Sequence, residues 1–158
     1  MSPRINYLSQ SAELFKGLTD LGNNTKKSLD PLLTSLVEIR ASQLNGCAFC
    51  LDMHVKEAKI HGERELRLHH VAVWRESQLF SAKERAALEL TELLTELNDH
   101  GIPDPLFAAI KTALSEKEIS DIVFLIGVIN FWNRLNLASP KPPGSLDKYL
   151  QLERAGLS

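Results

Sequence analysis

The chain has 158 residues, 44% of them hydrophobic and 24% charged, which suits one globular domain with a sizeable core. A formal charge of −2 supplies no electrostatic footprint for nucleic acid or for an anionic membrane surface. The longest apolar run, Ile122 to Trp132, holds about eleven residues and includes Gly127 and Asn130, so it is too short to cross a bilayer and is expected to be a core helix.

The residues Met1-Ser-Pro-Arg-Ile-Asn-Tyr7 carry no apolar stretch of the secretory kind, so a cytoplasmic setting is expected. An N-terminal helix is predicted around Ser11 to Leu21. Asp30-Pro31 pairs an N-cap residue with a first-turn proline and opens a helix to about Leu44. Asn45-Gly46 breaks the chain and offers a new cap just before Cys47, and the next helix runs to His61 with Gly62 as its stop. A further helix covers roughly Glu65 to Glu76. Ser81-Ala-Lys-Glu84 has the spacing of a capping box and opens a helix that ends before His100-Gly101. Asp104-Pro105 repeats the earlier cap and starts a shorter helix. Ser115-Glu-Lys-Glu118 is a second capping box, opening the long apolar helix that fades near Ala138. Pro140, Pro142, Pro143 and Gly144 form a linker-like stretch before a short amphipathic tail. Strand signals are almost absent, and the reading is a single all-α domain, a helical bundle over residues 1–158.

The chemistry is concentrated between Glu38 and His54. The chain has two cysteines, Cys47 and Cys50, and a close pair in a cytosolic protein is more often catalytic or metal-binding than structural. On a wheel of about 100° per residue with Cys47 at zero, Cys50 falls near 300° and His54 near 340°. The three side chains therefore share one strip and are expected to face other helices. The first turn of a helix favours an anion, and a histidine four residues beyond Cys50 stacks on the same face. Both effects lower a thiol pKa from its free value of about 8.5. A mechanism follows in which Cys50 attacks a peroxide, Cys47 condenses with the sulfenic acid, and a dithiol restores the pair. His54 is the expected proton acceptor, and Glu38, at the flank of the preceding helix, is the nearest carboxylate to orient it. For Glu38 the alternative of a solvated position stays equally open.

The run Ser42-Gln-Leu-Asn-Gly-Cys47-Ala-Phe-Cys50-Leu-Asp-Met-His54 resembles the core of the alkyl hydroperoxidase D and carboxymuconolactone decarboxylase family. Lys56-Glu-Ala, Gly62-Glu, Ala72-Val-Trp-Arg75, Phe80-Ser and Asn130-Phe-Trp-Asn-Arg134 extend the similarity over about residues 30 to 138. The resemblance implies an all-helical fold, a homo-trimer or homo-hexamer, peroxidase activity led by the second cysteine, and a dithiol reductant or reductase protein as partner. It implies no cofactor. Two positions depart from the family pattern. The relay glutamate expected twelve residues before the first cysteine is replaced by Ser35, leaving Glu38 or Glu92 as substitutes, and Phe49 stands where some relatives place a second histidine. Glu92 shares a charged face with Arg85, Glu89 and Glu96, so solvation is its expected fate.

The same residues admit other readings. The cysteines could be small core residues, or two ligands of a zinc ion with His54 and a fourth from His61, His69, His70 or a carboxylate. His61 shares the strip of His54 but is more simply a C-terminal cap residue, and neither His69 nor His70 is assigned a role. Trp74 and Trp132 are expected as core or interface anchors. Asn130, Asn133 and Arg134 are expected at a subunit contact, and Leu88, apolar on a charged face, hints at another. The competing functions are a cofactor-free decarboxylase of a lactone acid, which needs no thiols, and a redox-sensing module that uses the disulfide as a switch.

Overall fold

The computed structural model describes residues 4–157. Among them no strand occurs, and the elements are helices α1 (Tyr7–Gln10), α2 (Ala12–Ser28), α3 (Pro31–Leu44), α4 (Ala48–Ile60), α5 (Glu65–His70), α6 (Ala82–Thr95), α7 (Asp104–Ala113), α8 (Glu116–Ala138) and α9 (Asp147–Leu150). Short 3₁₀ turns follow α5 at Val71–Val73 and α9 at Leu152–Ala155.

Helix α3 is the axis of the bundle. Asp30 caps it, accepting from the backbone N–H groups of Leu32 and Leu33 at 3.0 Å each, with Pro31 in the first turn where no N–H is needed. It is buried nearly all round, as a helix enclosed by others must be. Leu33 and Val37 pack with Ile110, Ile122 and Leu125 in one core, and Leu36 and Ile39 pack with Ala58, Val71, Trp74 and Phe80 in a second. Leu88, on α6, is fully buried in that second core, so it marks no subunit contact. Both capping boxes form as expected, Ser81 with Glu84 and Ser115 with Glu118.

Several boundaries differ from the sequence reading. Helix α2 continues past Leu21 to Ser28 despite the poor helix formers Gly22, Asn23 and Asn24. Gly22 lies against α8, where an added Cβ would sit 3.3 Å from Val128 Cγ1, so close helix packing compensates for its weak propensity. Asn45 ends α3 instead of capping α4, and Gly46 takes the left-handed conformation at φ +65° that lets the chain turn at once. The cap of α4 is Cys47 itself, whose sulfur accepts from the Cys50 N–H at 3.3 Å. The segment after α5 leaves the α-helix at His70 and finishes as a 3₁₀ turn that drives Trp74 inward. Asp104 is the first residue of α7 rather than its cap, and Pro103 takes the cap position. None of the helices is long and apolar enough to cross a membrane, among the described residues.

Candidate active site

The turn that presents Cys47 is tied down by amides. Asn45 Nδ2 donates to Asn130 Oδ1 at 2.9 Å and to Asn133 Oδ1 at 2.8 Å, both on α8. Asn133 Nδ2 donates to Ser42 Oγ at 3.3 Å, and Asn130 Nδ2 to Thr95 Oγ1 at 3.0 Å and the Ile126 carbonyl at 2.9 Å. Asn130 and Asn133 are therefore interior residues that lock α3 and its exit turn to α8, not a subunit contact. Arg134 donates back to the Asn130 carbonyl and side chain.

From this turn Cys47 and Cys50 form a disulfide across one helical turn, with Cα atoms 5.4 Å apart, inside the range such a bond requires. Both are buried, at 1% and 2% exposure, as the wheel predicts. His54 follows on the same face and is 3% exposed. Its Nδ1 lies 2.8 Å from Glu57 Oε2 and 3.2 Å from Glu38 Oε2. Glu38 is buried between α2, α3 and α4 rather than solvated, and Lys26 Nζ reaches Glu38 Oε1 at 3.1 Å and Glu57 Oε2 at 3.2 Å. Two cations thus meet two anions in one enclosed cluster.

The charges are set by that cluster. Burial alone pushes the imidazole down, but the facing carboxylates of Glu38 and Glu57 outweigh it and raise His54 to about 9. Burial likewise opposes the charge on Glu57, and the partners His54 and Lys26 hold it at about 2. Lys26 is raised in the same way by Glu38 and Glu57. His54 is then an imidazolium at neutral pH, with Nδ1 committed to carboxylates. Its buried Nε2 has no hydrogen-bond partner among the described residues.

Cys50 and His54 line a cavity of about 410 Å³. Its walls include Phe49 and Met53 of α4, Phe15 of α2, Val128 and Trp132 of α8, and Leu146 from the segment after α8. Phe15 and Trp132 meet edge to face with centroids 5.1 Å apart, so Trp132 is a wall of the cavity as well as a packing anchor. A volume of this order suits a small organic molecule.

Glu38, His54 and Glu57 also bring three potential metal-ligand atoms within 4.8 Å of one another. The Lys26 ammonium already pairs with both carboxylates there, and the imidazole carries its own proton, so the donor set is that of an ion-pair cluster.

Of the sequence candidates, Cys47, Cys50, His54 and Glu38 come together and Glu92 does not. Glu92 is bound by Arg40 at 2.7 Å, by Trp74 Nε1 at 2.8 Å and by Arg75, and its side chain is 12% exposed, so it is neither the relay carboxylate nor solvated. Ser35 turns its hydroxyl to the Pro31 carbonyl at 2.9 Å. His61 caps α4 and lines a separate hollow of about 190 Å³ behind the cluster. Sequence reasoning missed Glu57 and Lys26. The signal for Glu57 was present, three residues beyond His54 on one helix, where side chains are neighbours. Lys26 lay beyond the expected end of its helix.

Fold and site define an all-helical protein of the alkyl hydroperoxidase D type, built around a helix-capping dithiol. The chain belongs to the carboxymuconolactone decarboxylase family, whose model matches residues 12–93. It is 38% identical over 139 residues to YdfG, an uncharacterized protein of Bacillus subtilis (strain 168), spanning 87% of this chain and 95% of that protein. It is 31% identical over 144 residues to YnjA, an uncharacterized protein of Escherichia coli (strain K12), spanning 90% of this chain and 76% of that protein. A crystal structure from Agrobacterium tumefaciens, of a protein of unknown function suggested to be the antioxidant defence protein AhpD, shares 38% identity. It matches with a TM-score of 0.84 over 90% of this chain and 98% of its own.

Proposed function

We propose that this protein is a thiol-dependent peroxidase that reduces hydrogen peroxide or alkyl hydroperoxides through Cys47 and Cys50. The observation that most supports this reading is the cysteine pair, at disulfide distance, with Cys50 on the wall of an apolar cavity beside an imidazolium whose Nε2 points to no protein partner. In the reduced protein the imidazolium stabilises the Cys50 thiolate, which attacks the terminal oxygen of the hydroperoxide. The O–O bond breaks, Cys50 becomes a sulfenic acid, and the alkoxide leaves with the proton from His54. The Cys47 thiolate then attacks the Cys50 sulfur and expels hydroxide, which is protonated to water, giving the disulfide. A dithiol reductant or reductase protein supplies the two electrons and two protons that reopen it. Glu38 and Glu57 orient the ring and hold its charge, and Lys26 pairs with both carboxylates. His54 is thus a standing cation and proton donor rather than a base waiting to be charged.

A cytoplasmic setting, where such reductants are held, goes with this reading. So does a homo-trimer or homo-hexamer, for which Phe124 and Phe131 of α8, 56% and 52% exposed, offer apolar surface. The test is consumption of hydrogen peroxide and cumene hydroperoxide with dihydrolipoamide as reductant. The expected result is turnover lost in both Cys47→Ser and Cys50→Ser. Absence of turnover in the unaltered protein, or turnover surviving both substitutions, would overturn the assignment.

A further inference from the structure

The two sulfurs of the disulfide have different surroundings. Cys50 lines the cavity and Cys47 does not. Two hydrogen-bond donors converge on Cys47 Sγ, the Cys50 N–H at 3.3 Å and Asn136 Nδ2 at 3.4 Å, and among the described residues none reaches Cys50 Sγ. Asn136 lies near the end of α8, eighty-nine positions along the chain from Cys47, so the contact is a product of the fold. The orientation of its amide is fixed independently. Its Oδ1 accepts from the Lys141 backbone N–H at 3.0 Å, and because that group can only donate, the amide must turn its NH₂ toward the sulfur.

We propose that Asn136 is a positioning residue for the disulfide-opening half of the reaction: with the Cys50 N–H it forms a small anion hole that makes Cys47 the leaving thiolate. This rests on the dithiol chemistry proposed above. An incoming reductant thiolate, reaching the pair through the cavity, attacks Cys50 Sγ. A bond forms between the reductant sulfur and Cys50, the Cys47–Cys50 bond breaks, and its electron pair passes to Cys47 Sγ between the two donors. The second thiol of the reductant then displaces Cys50, so that the reductant leaves as a disulfide and both cysteines are reduced. A leaving thiol of lower pKa departs faster, which is what donors on Cys47 achieve. The same donors keep Cys47 ionised for its attack on the Cys50 sulfenic acid. The titratable side chains lining the adjoining cavity are Cys50, His54 and Glu57 from α4, Glu38 from α3, Lys26 from α2, Tyr7 from α1 and Lys141 after α8. Asn136 is the neutral donor that touches Cys47 itself.

Two variants separate this role from simple packing. Asn136→Leu removes the donor and the acceptor, whereas Asn136→Asp keeps the shape and the acceptor for Lys141, removes the donor and adds a negative charge beside the sulfur, so Asn136→Leu reads donor loss and Asn136→Asp reads whether the Lys141 segment is held. In a Cys50→Ser background, titration of Cys47 by its thiolate ultraviolet absorbance is expected to move up by about one to two pH units in both variants, as loss of a charge-assisted hydrogen bond implies. With both cysteines present, opening of the disulfide by dithiothreitol is expected to slow several-fold in both. An unchanged Cys47 titration in Asn136→Leu would overturn the inference. So would a shift in Asn136→Leu alone, which would assign the residue to holding the Lys141 segment. Neither readout uses peroxide, so a protein that consumes no peroxide would overturn the function proposed above without moving these titrations.

Discussion

His54 is an imidazole closed off from water, and it keeps a proton only because carboxylates face it. Its folded pKa of about 9 lies above the ordinary 6.5, so the stabilisation it brings is complete below about pH 6.5 and is lost as pH rises through about 9. Urea midpoints of the unaltered protein are therefore expected to fall between pH 6.5 and 9, and Glu57, held at about 2, adds a second decline as pH drops from about 4.5 toward 2. Asn or Gln at position 54 should remove the alkaline decline, and its persistence in His54→Gln would show that another group drives it. Glu57→Gln withdraws one of the two carboxylates from the ring and one from Lys26. A loss of about 1–3 kcal/mol in urea unfolding at pH 7 is expected. Cys47, Cys50 and His54 were legible in the sequence because helical spacing alone puts them on one strip. Glu38 was half legible, since its place on the helix flank is a matter of periodicity, whereas its burial depends on how far α2 extends. Lys26 was not legible at all, because it comes from an element remote in sequence.

Among the elements, α8 does most to place the site. Its interior amides are out of place in an apolar helix read alone, and they resolve into the anchor for the turn that presents Cys47. Asn133 is completely buried. Asn133→Leu leaves Ser42 Oγ without a donor and removes one of the two acceptors of Asn45, so destabilisation of about 2–3 kcal/mol by urea unfolding is expected. Slower disulfide formation should accompany it, because Cys47 is then less firmly held. Caps with a local chemical signature, Asp30-Pro31 and the two capping boxes, were readable from the residues. The starts of α4 and α7 and the end of α2 were not, since there a sulfur, a proline and a packing contact with Val128 decide the boundary. Asn45-Gly46 announced a break in the chain correctly, but a break belongs to two helices at once, and the amide served the helix before it.

At the scale of the whole molecule, the segment after α8 closes the cavity. Lys56 of α4 is 5% exposed and binds Asp52 at 2.9 Å and Asp147, from α9, at 2.6 Å. Asp52 also accepts from the Gly144 N–H at 2.9 Å. Burial disfavours the Lys56 charge, and the two aspartates more than restore it, raising its pKa. Lys56→Met should loosen this segment by about 1–2 kcal/mol, roughly tenfold in its open population, seen as faster cleavage between residues 140 and 150 under limited proteolysis. An unchanged cleavage rate would mean that apolar contacts such as Leu152 hold it without the ion pairs. The helical bundle was legible as a class, from helix punctuation and the absence of strand signals, while the cavity was not, because it exists only where α1, α2, α3, α4, α8 and the C-terminal segment meet.

The most direct measurement is chemical trapping of the sulfur that meets peroxide. Reduced Cys47→Ser protein is treated with one equivalent of hydrogen peroxide in the presence of dimedone and mapped by mass spectrometry. The expected result is a dimedone adduct on Cys50, reduced sharply when His54→Gln is added, with the unaltered protein forming the Cys47–Cys50 disulfide instead. An unlabelled Cys50, in a protein whose two thiols also stay reduced under peroxide, would contradict the account.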